Sequence, residues 1–252
     1  MKMDPSKEII IRSDLLSRFP SLRAGVSTRR GGISPSPFDL NLSYNVGDSP
    51  VRVAQNRERF YGILGIPTDR LAIPHQVHST VVRRAFEPGR YEACDALVTN
   101  VRGIFLAVSV ADCLPILLHD PVTGAVAAVH SGWRGSKDKI VLHVLESVQA
   151  EFDSDKKNIV AFIGPAAGGC CYEVGEEVAK EFPSECIIRN PDQKPRLDLK
   201  LFNKNLLLAN GLDERNIEVS PFCTICTPAL FHSYRRDGAR SGRMMGVIGI
   251  SE

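Results

Sequence analysis

The sequence predicts an α+β domain, a mixed sheet covered by helices, and three observations carry that expectation. Short turn signals join apolar strand-like runs into hairpins, as at residues 120–124. Amphipathic helical segments fall between the runs without a strict strand–helix alternation. The 252 residues contain no internal repeat, low-complexity tract or evident linker, which favours one domain over residues 1–252.

The elements follow in order. Residues 8–12 read as a strand. Residues 27–48, with Thr-Arg-Arg-Gly-Gly and Ser-Pro-Ser-Pro, form a long loop of the kind that carries function in compact domains. Ser49 then caps a helix with Pro50 at its first position, and Gly65 ends it. Residues 103–110 are an apolar strand, broken at 111–115 where Pro115 lacks a ladder donor; the strand resumes at 116–119. After the 120–124 turn, residues 125–129 return as a buried strand with His130 at its end, and residues 131–135 form a loop. A helix buries Ile140, Val141, Val144, Leu145, Val148 and Phe152, and residues 158–163 are a strand stopped by Gly164-Pro165. One further helix carries Val174, Val178 and Phe182. Another starts at Asp198 and ends near Gly211, and residues 245–250 close the chain as a strand.

Composition narrows the function. A formal net charge of +2 gives no argument for nucleic acid or a membrane surface. No 18-residue apolar run exists, and the N-terminal stretch lacks the apolar centre of a signal peptide, so a cytoplasmic protein is expected. Seven cysteines, an odd number in that compartment, argue against a disulfide framework.

The chemistry starts from the 120–124 hairpin. One strand begins just after Cys113 and its partner ends at His130, so both residues fall at the same open end, on neighbouring strands. His75 and His78, if extended, point to opposite faces, so one of the two is expected to matter. A cysteine with two histidines suits zinc and leaves a fourth position open, as catalytic sites require. Copper accepts the same donors. The same residues also suit a metal-free Cys–His nucleophile. Asp95 and Asp112 are close enough in sequence to orient the histidines. Arg134, four residues from His130 in a glycine-flanked loop, is the arginine best placed for an anion. Cys223-Thr-Ile-Cys226 is a lone pair without zinc-ribbon spacing, and the adjacent Cys170-Cys171 is a weaker signal still.

Several stretches together resemble the YfiH family, also called the multicopper polyphenol oxidase or laccase-domain family, over nearly the whole chain. They are Ser27-Thr-Arg-Arg-Gly-Gly32, Leu40-Asn-Leu42, His75-Gln-Val-His78, Cys94-Asp-Ala-Leu-Val98, Ala111-Asp-Cys-Leu-Pro115, Ala127-Ala-Val-His-Ser-Gly-Trp-Arg-Gly135, Ile163-Gly-Pro165, Cys171-Tyr-Glu-Val-Gly175, Cys223-Thr224 and Phe231-His-Ser-Tyr-Arg-Arg-Asp237 with Gly242-Arg243. The resemblance implies a four-layer α-β-β-α sandwich with mixed sheets and metal ligands at His78, Cys113 and His130. It also implies phosphorolysis of adenosine, inosine, guanosine and methylthioadenosine, and deamination of adenosine. The expected partners are therefore purine nucleosides and phosphate, with no nucleic acid and no membrane. Arg134 first and Arg29 second are expected to hold phosphate, and Asn41 and Glu173 to contact the nucleoside. Zinc is the expected metal, with copper as the alternative. An older reading of the family, copper-dependent phenol oxidation, needs many histidine ligands, and this chain has six. His143 is one of them and is expected on an exposed helix face. A metal or cysteine hydrolase acting on cell-wall precursors and a metal-dependent binding protein without turnover complete the alternatives.

Overall fold

The strands assemble into two six-stranded mixed sheets packed face to face in the computed structural model, which describes residues 9–252. In chain order they begin with β1 (Ile10–Ile11), β2 (Leu22–Ser27), helix α1 (Pro50–Leu64), β3 (Leu71–Pro74), β4 (Val82–Arg84), β5 (Gly89–Tyr91), β6 (Ala96–Thr99) and β7 (Phe105–Val110). Next come β8 (Leu114–His119), β9 (Val126–Ser131), α2 (Trp133–Lys137), α3 (Ile140–Phe152), β10 (Val160–Ile163) and α4 (Glu176–Ala179). The last are β11 (Ile187–Ile188), β12 (Arg196–Leu197), α5 (Leu199–Ala209), β13 (Ile217–Val219), α6 (Tyr234–Asp237) and β14 (Met244–Ile250). One sheet has the order β1-β2-β14-β7-β3-β5 and the other β13-β10-β8-β9-β6-β4, while β11 and β12 pair separately.

Four layers follow from where the apolar side chains go. Val26, Leu106, Val108 and Ile248 of the first sheet meet Leu97, Leu117, Ala128 and Phe162 of the second. The outer face of the second sheet, with Leu114, Ile116, Val129 and Ile163, is covered by α3 and α5. Phe60, Tyr61 and Leu64 of α1 cover Phe105, Ala107 and Val247 on the outer face of the first. The layers are thus α-β-β-α. Strands β7, β8, β9 and β14 are buried on both faces, which is why they read as unbroken apolar runs.

Local signals set several element ends as expected. Pro50 opens α1, and Gly65 closes it in the left-handed region at φ 68°, although the Ser49 side chain makes no capping bond. Asp198 caps α5 by accepting from the Leu201 N–H at 3.0 Å. The buried face of α3 is the expected one. Residues 9–12 of the first expected strand contain β1, and Glu8 lies outside the described residues.

Other expectations change. Two sheets replace the single one that the residue pattern suggested, because a run buried on both faces does not say which sheet it joins. Strand β8 starts at Leu114 and contains Pro115, which takes part through its carbonyl, accepting from Gly164 N–H at 2.9 Å. Residues 75–78 are a loop rather than a strand. The segment after Ser131 is helical, so Arg134 sits on α2, and the helix around Val178 shrinks to the four residues of α4. No helix among the described residues is long and apolar enough to cross a membrane.

Leu117 is fully buried between the sheets. Leu117→Ala is expected to destabilise the fold by about 2–5 kcal/mol, whereas His143→Ala, at a half-exposed side chain, should stay within about 0.5 kcal/mol. Urea denaturation followed by circular dichroism checks both, and equal midpoints for the two variants would refute the layer assignment of β8.

Candidate metal centre

Three chain segments meet at one end of the second sheet. In the β8–β9 ladder Leu114 faces Ser131 and Pro115 faces His130, so Cys113 lies immediately beyond the ladder, beside His130. In the β6–β9 ladder Ala96 faces Val129, which puts Asp95 opposite His130. The register shows in the bonds: His130 N–H donates to the Asp95 carbonyl at 2.8 Å, and His130 Nδ1–H donates to Asp95 Oδ1 at 2.7 Å. His78 arrives on the loop after β3, with its backbone in the left-handed region at φ 61°.

Asp95 holds that loop as well. The backbone N–H groups of Val77, His78 and Ser79 donate to its carboxylate at 3.1, 3.0 and 2.7 Å, and Ser79 Oγ adds a bond of 2.9 Å. Burial alone would raise this carboxyl, but the bonds from His130 and Ser79 bring it down to about 2. One buried carboxylate therefore orients His130, fixes its tautomer and seats His78. Asp112, expected to share this role, does something else. Its carboxylate accepts from Thr224 Oγ1, Ser233 Oγ and Arg235 N–H at 2.6, 3.0 and 2.7 Å, and it touches neither histidine by a hydrogen bond.

The donor atoms of His78, Cys113 and His130 lie within 4.8 Å of one another. Donors on one tetrahedral zinc ion at roughly 2.0–2.3 Å lie about 3.3–3.8 Å apart, so side-chain adjustments of about an ångström bring this group onto a single ion. The His130 and His78 rings stand edge to face, 4.9 Å between centroids. With Nδ1 taken by Asp95, His130 presents Nε2 to the group. His130 is buried, Cys113 intermediate and His78 exposed, so the mouth lies on the His78 side. Gly132 closes the inner side: a Cβ there would meet Cys113 Sγ at 3.1 Å and His78 Cδ2 at 3.4 Å. The donor chemistry and spacing fit a metal with an open fourth position. Without one, Cys113 and His130 form an ion pair. Burial would raise the Cys113 thiol, yet the charge and hydrogen bonds of His130, with a bond from His78, hold it at about 6. Burial would lower His130, yet Cys113 and Asp95 lift it to about 9.

A cleft of about 270 Å³, lined by Trp133, Tyr172, Glu173, Glu177, Lys194 and Arg235 among others, is tied to this group through neighbouring residues, the three donors themselves not being part of its lining. Trp133 follows Gly132 directly, and the backbone of Arg235 is tied to Asp112, the neighbour of Cys113. The Arg235 guanidinium lies 5.1 Å from the centre of the Tyr172 ring. Arg134 is exposed, stacks on the Trp133 ring at 4.4 Å and is not among the residues that line the cleft. Glu173 is in the cleft wall. Arg29 is not brought to the cleft; it pairs with Asp39 and donates to the Pro37 and Pro228 carbonyls. Asn41 is fully buried, donating to the Ser43 carbonyl at 2.9 Å and accepting from Arg243 N–H at 2.9 Å. Arg235, read from the sequence as a surface charge, is the cation that the site gains. Its signal was Asp112, whose partners lie more than a hundred residues away and leave no local spacing to read.

Three of the other four histidines do other things. His119 bonds the Ala125 carbonyl within the core, His75 pairs with Glu92 at the surface, and His143 is half exposed as expected. The group of His78, Cys113 and His130 is the only histidine-containing set of potential metal ligands among the described residues. The other such set is Cys170, Cys171, Cys223 and Cys226. The weak Cys-x-x-Cys signal and the weaker adjacent pair thus meet in space.

The class is defined by this combination: a four-layer sandwich with a histidine–cysteine–histidine group at the open end of a central hairpin. The chain belongs to the multi-copper polyphenol oxidoreductase laccase family, whose sequence model matches residues 23–251. A relative from Deinococcus radiodurans named purine nucleoside phosphorylase is 39% identical over 241 residues, covering 93% of this chain and 92% of its own. One named adenosine deaminase RL5, from an unknown prokaryotic organism, is 37% identical over 236 residues, covering 86% and 90%. Among solved structures, YlmD from Geobacillus stearothermophilus superposes with a TM-score of 0.89 at 32% identity, covering 97% of this chain and all of that one.

The Cys113–His130 pair sets a pH dependence in chelator-treated protein. The thiolate is the reactive form, so alkylation by iodoacetamide should rise with pH through a midpoint of about 6 and level off above it. Asp95→Asn removes the carboxylate that supports the imidazolium, so the midpoint should move up. A wild-type midpoint near the free-thiol value of about 8.5 would contradict the ion pair.

Proposed function

We propose that this chain is a purine nucleoside phosphorylase, acting on adenosine, inosine, guanosine and methylthioadenosine, that also deaminates adenosine. His78, Cys113 and His130 are its zinc ligands. The observation that carries the reading is the convergence of these three donors near a small cleft whose wall holds two aromatic rings, two cations and two carboxylates. Purine-named relatives that match this chain over most of both lengths support the substrate class.

When bound, the metal supplies Lewis acidity and lowers the pKa of water at its open position. The protein's own groups do the rest. Asp95 keeps His130 in the tautomer that presents Nε2. Trp133 and Tyr172 offer flat apolar faces of the kind on which a purine stacks. Arg235 and Lys194 bring positive charge to the same wall, where a phosphate dianion must sit beside the ribose as the glycosidic bond breaks. Glu173, on that wall, is positioned to accept from ribose hydroxyls or the base. Arg134 remains a second phosphate group, reaching around Trp133. Arg29 and Asn41 act from behind the site: Arg29 braces residues 37–39, and Asn41 sets the backbone of Arg243. We place the reaction in the cytoplasm.

One observation favours a second reading. The low thiol of Cys113 beside a charged His130 is also the arrangement of a cysteine nucleophile, as a hydrolase of cell-wall precursors would use. Phenol oxidation through a three-copper cluster has less support, because the other ligand set among the described residues contains no histidine.

Hypoxanthine release from inosine across a phosphate series, beside inosine formation from adenosine, tests the proposal. Cys113→Ala should abolish both activities and lose bound zinc. A nucleophilic cysteine would instead leave metal content unchanged and give a covalent adduct by mass spectrometry. Arg235→Ala should raise the KM for phosphate about 10- to 100-fold, the equivalent of roughly 1.5–3 kcal/mol for a charge-assisted bond. Deamination, which consumes water, should suffer less, and Arg134→Ala should show a smaller change of the same kind. Base release that ignores phosphate, or activity confined to phenols with copper, would sink the reading.

A further inference from the structure

The second thiol group lies behind the cleft and has no part in the mechanism above. Cys170 and Cys171 sit in a tight turn after β10, in which the Cys171 and Tyr172 N–H groups both donate to the Gly168 carbonyl at 2.9 Å. That turn lets adjacent cysteines face one point. Cys223 and Cys226 sit in the loop after β13, the strand that runs parallel to β10. A backbone bridge between Ala166 and Cys223 lines the two loops up. The four sulfurs lie within 4.8 Å of one another, although the two pairs are about fifty residues apart in the chain.

We propose that Cys170, Cys171, Cys223 and Cys226 bind one zinc ion in a closed tetrathiolate site that fixes the wall of the cleft. Three observations converge on it. The first is spacing. Four sulfurs about 2.3 Å from a tetrahedral zinc are about 3.8 Å apart, and Cys170 Sγ lies 3.8 Å from Cys226 Sγ. A disulfide would need about 2.05 Å. Sulfurs this close enclose a single ion and leave no room for an iron–sulfur cluster. The second is the pattern of N–H···S bonds. Gly168 N–H donates to Cys223 Sγ at 3.3 Å, and the nearby backbone N–H groups of Cys226 and Ile225 also favour negative charge on that sulfur. Backbone donors aimed at a sulfur stabilise a thiolate rather than a thiol. Gly168 packs directly against the group: a Cβ there would sit tightly against Cys223 Cβ at 3.2 Å and in contact with Cys170 Sγ and Cys223 Sγ at 3.4 and 3.5 Å. The third is charge. Four thiolates on a divalent ion carry a net charge of about −2, and the buried Lys200 ammonium stands beside them. It is held there by the Ser220 and Phe222 carbonyls at 2.8 and 2.6 Å.

The site reaches the active centre through short paths. Thr224, next to Cys223, donates to Asp112, and Ala167 N–H donates to the Asp112 carbonyl at 2.9 Å. Tyr172, next to Cys171, lines the cleft. An ion clamping the two loops therefore holds both the clasp around the residue before Cys113 and one wall of the pocket, with no ligand position left for chemistry.

The test uses the full chain purified under reducing conditions and loaded with cobalt(II) as a spectroscopic stand-in for zinc. In Cys113→Ser, where the first centre is disabled, the protein should still take up about one equivalent and show intense thiolate-to-cobalt charge transfer with tetrahedral ligand-field bands. Cys113→Ser/Cys226→Ser should lose that spectrum. Cys226→Ser alone should lose it while keeping the weaker one-thiolate signal of the Cys113 centre. Because the two centres are read separately, failure of the Cys113 reading leaves this outcome intact, and the reverse also holds. The proposal is overturned if Cys113→Ser binds no cobalt. It is equally overturned if Cys226→Ser leaves the tetrathiolate spectrum unchanged, or if mass spectrometry of the reduced, anaerobic protein finds Cys170 and Cys226 joined as a disulfide.

Discussion

The site depends on one buried carboxylate. Asp95 has no exposed surface, and a carboxylate taken out of water is tolerated only when its lone pairs are satisfied. Here the donors are three successive backbone N–H groups of residues 77–79, the Ser79 hydroxyl and the imidazole of His130. The need of that charge for partners thus folds the His78 loop, with its positive φ, and simultaneously chooses the tautomer of His130. Position 95 can do this because β6 pairs with β9 in a register that sets it across from residue 130. Sheet register therefore determines ligand geometry, and a one-residue slip would turn the carboxylate away.

Asp112 performs the complementary task on the other side of Cys113. It also sits at positive φ, 81°, and its carboxylate gathers Thr224, Ser233 and Arg235 from loops far along the chain. The cysteine is thereby held between two acids, one binding segments from earlier in the chain and the other from later. The hydrophobic layers beneath make this possible. Leu114 and Ile116 on one face of β8 and Leu117 on the other are locked between α3 and the opposing sheet. The strand end that presents Cys113 is therefore rigid, as a preorganised site requires.

Much of this was legible in the sequence because the signals were local. The 120–124 turn and the apolar runs on either side placed Cys113 and His130 together, and the ladder pairs Pro115 with His130 as that reasoning required. The helix faces of α1 and α3 and the Asp198 cap of α5 followed from period and caps. What was not legible is which cations reach the cleft. Arg29 stands before a glycine pair and Arg134 beside one glycine, but that the Arg29 guanidinium is engaged by Asp39 and the Arg134 guanidinium lies over the Trp133 ring is visible only in three dimensions. Arg235 was missed for the converse reason, since its importance comes from Asp112 and Tyr172. The four cysteines were read as two weak motifs because nothing in their spacing reports that β10 and β13 lie side by side.

The two thiol-containing groups differ in the way that separates chemistry from scaffolding. His78, Cys113 and His130 offer three donors, one of them exposed, at the edge of a cleft. Three donors would leave one coordination position open on a tetrahedral ion. The four cysteines offer a complete tetrahedral set with backbone N–H groups and a buried lysine arranged around it. Donor count and surroundings, rather than the identity of any single residue, assign the roles. The same distinction bears on the family's copper-based name. A multicopper oxidase needs several ions held largely by histidines, whereas the described residues of this chain place their histidine ligand donors in one group. Among the described residues one buried aspartate orients His130 and seats the His78 loop of a single donor group, an arrangement suited to one metal ion rather than to a chain of ions that pass electrons.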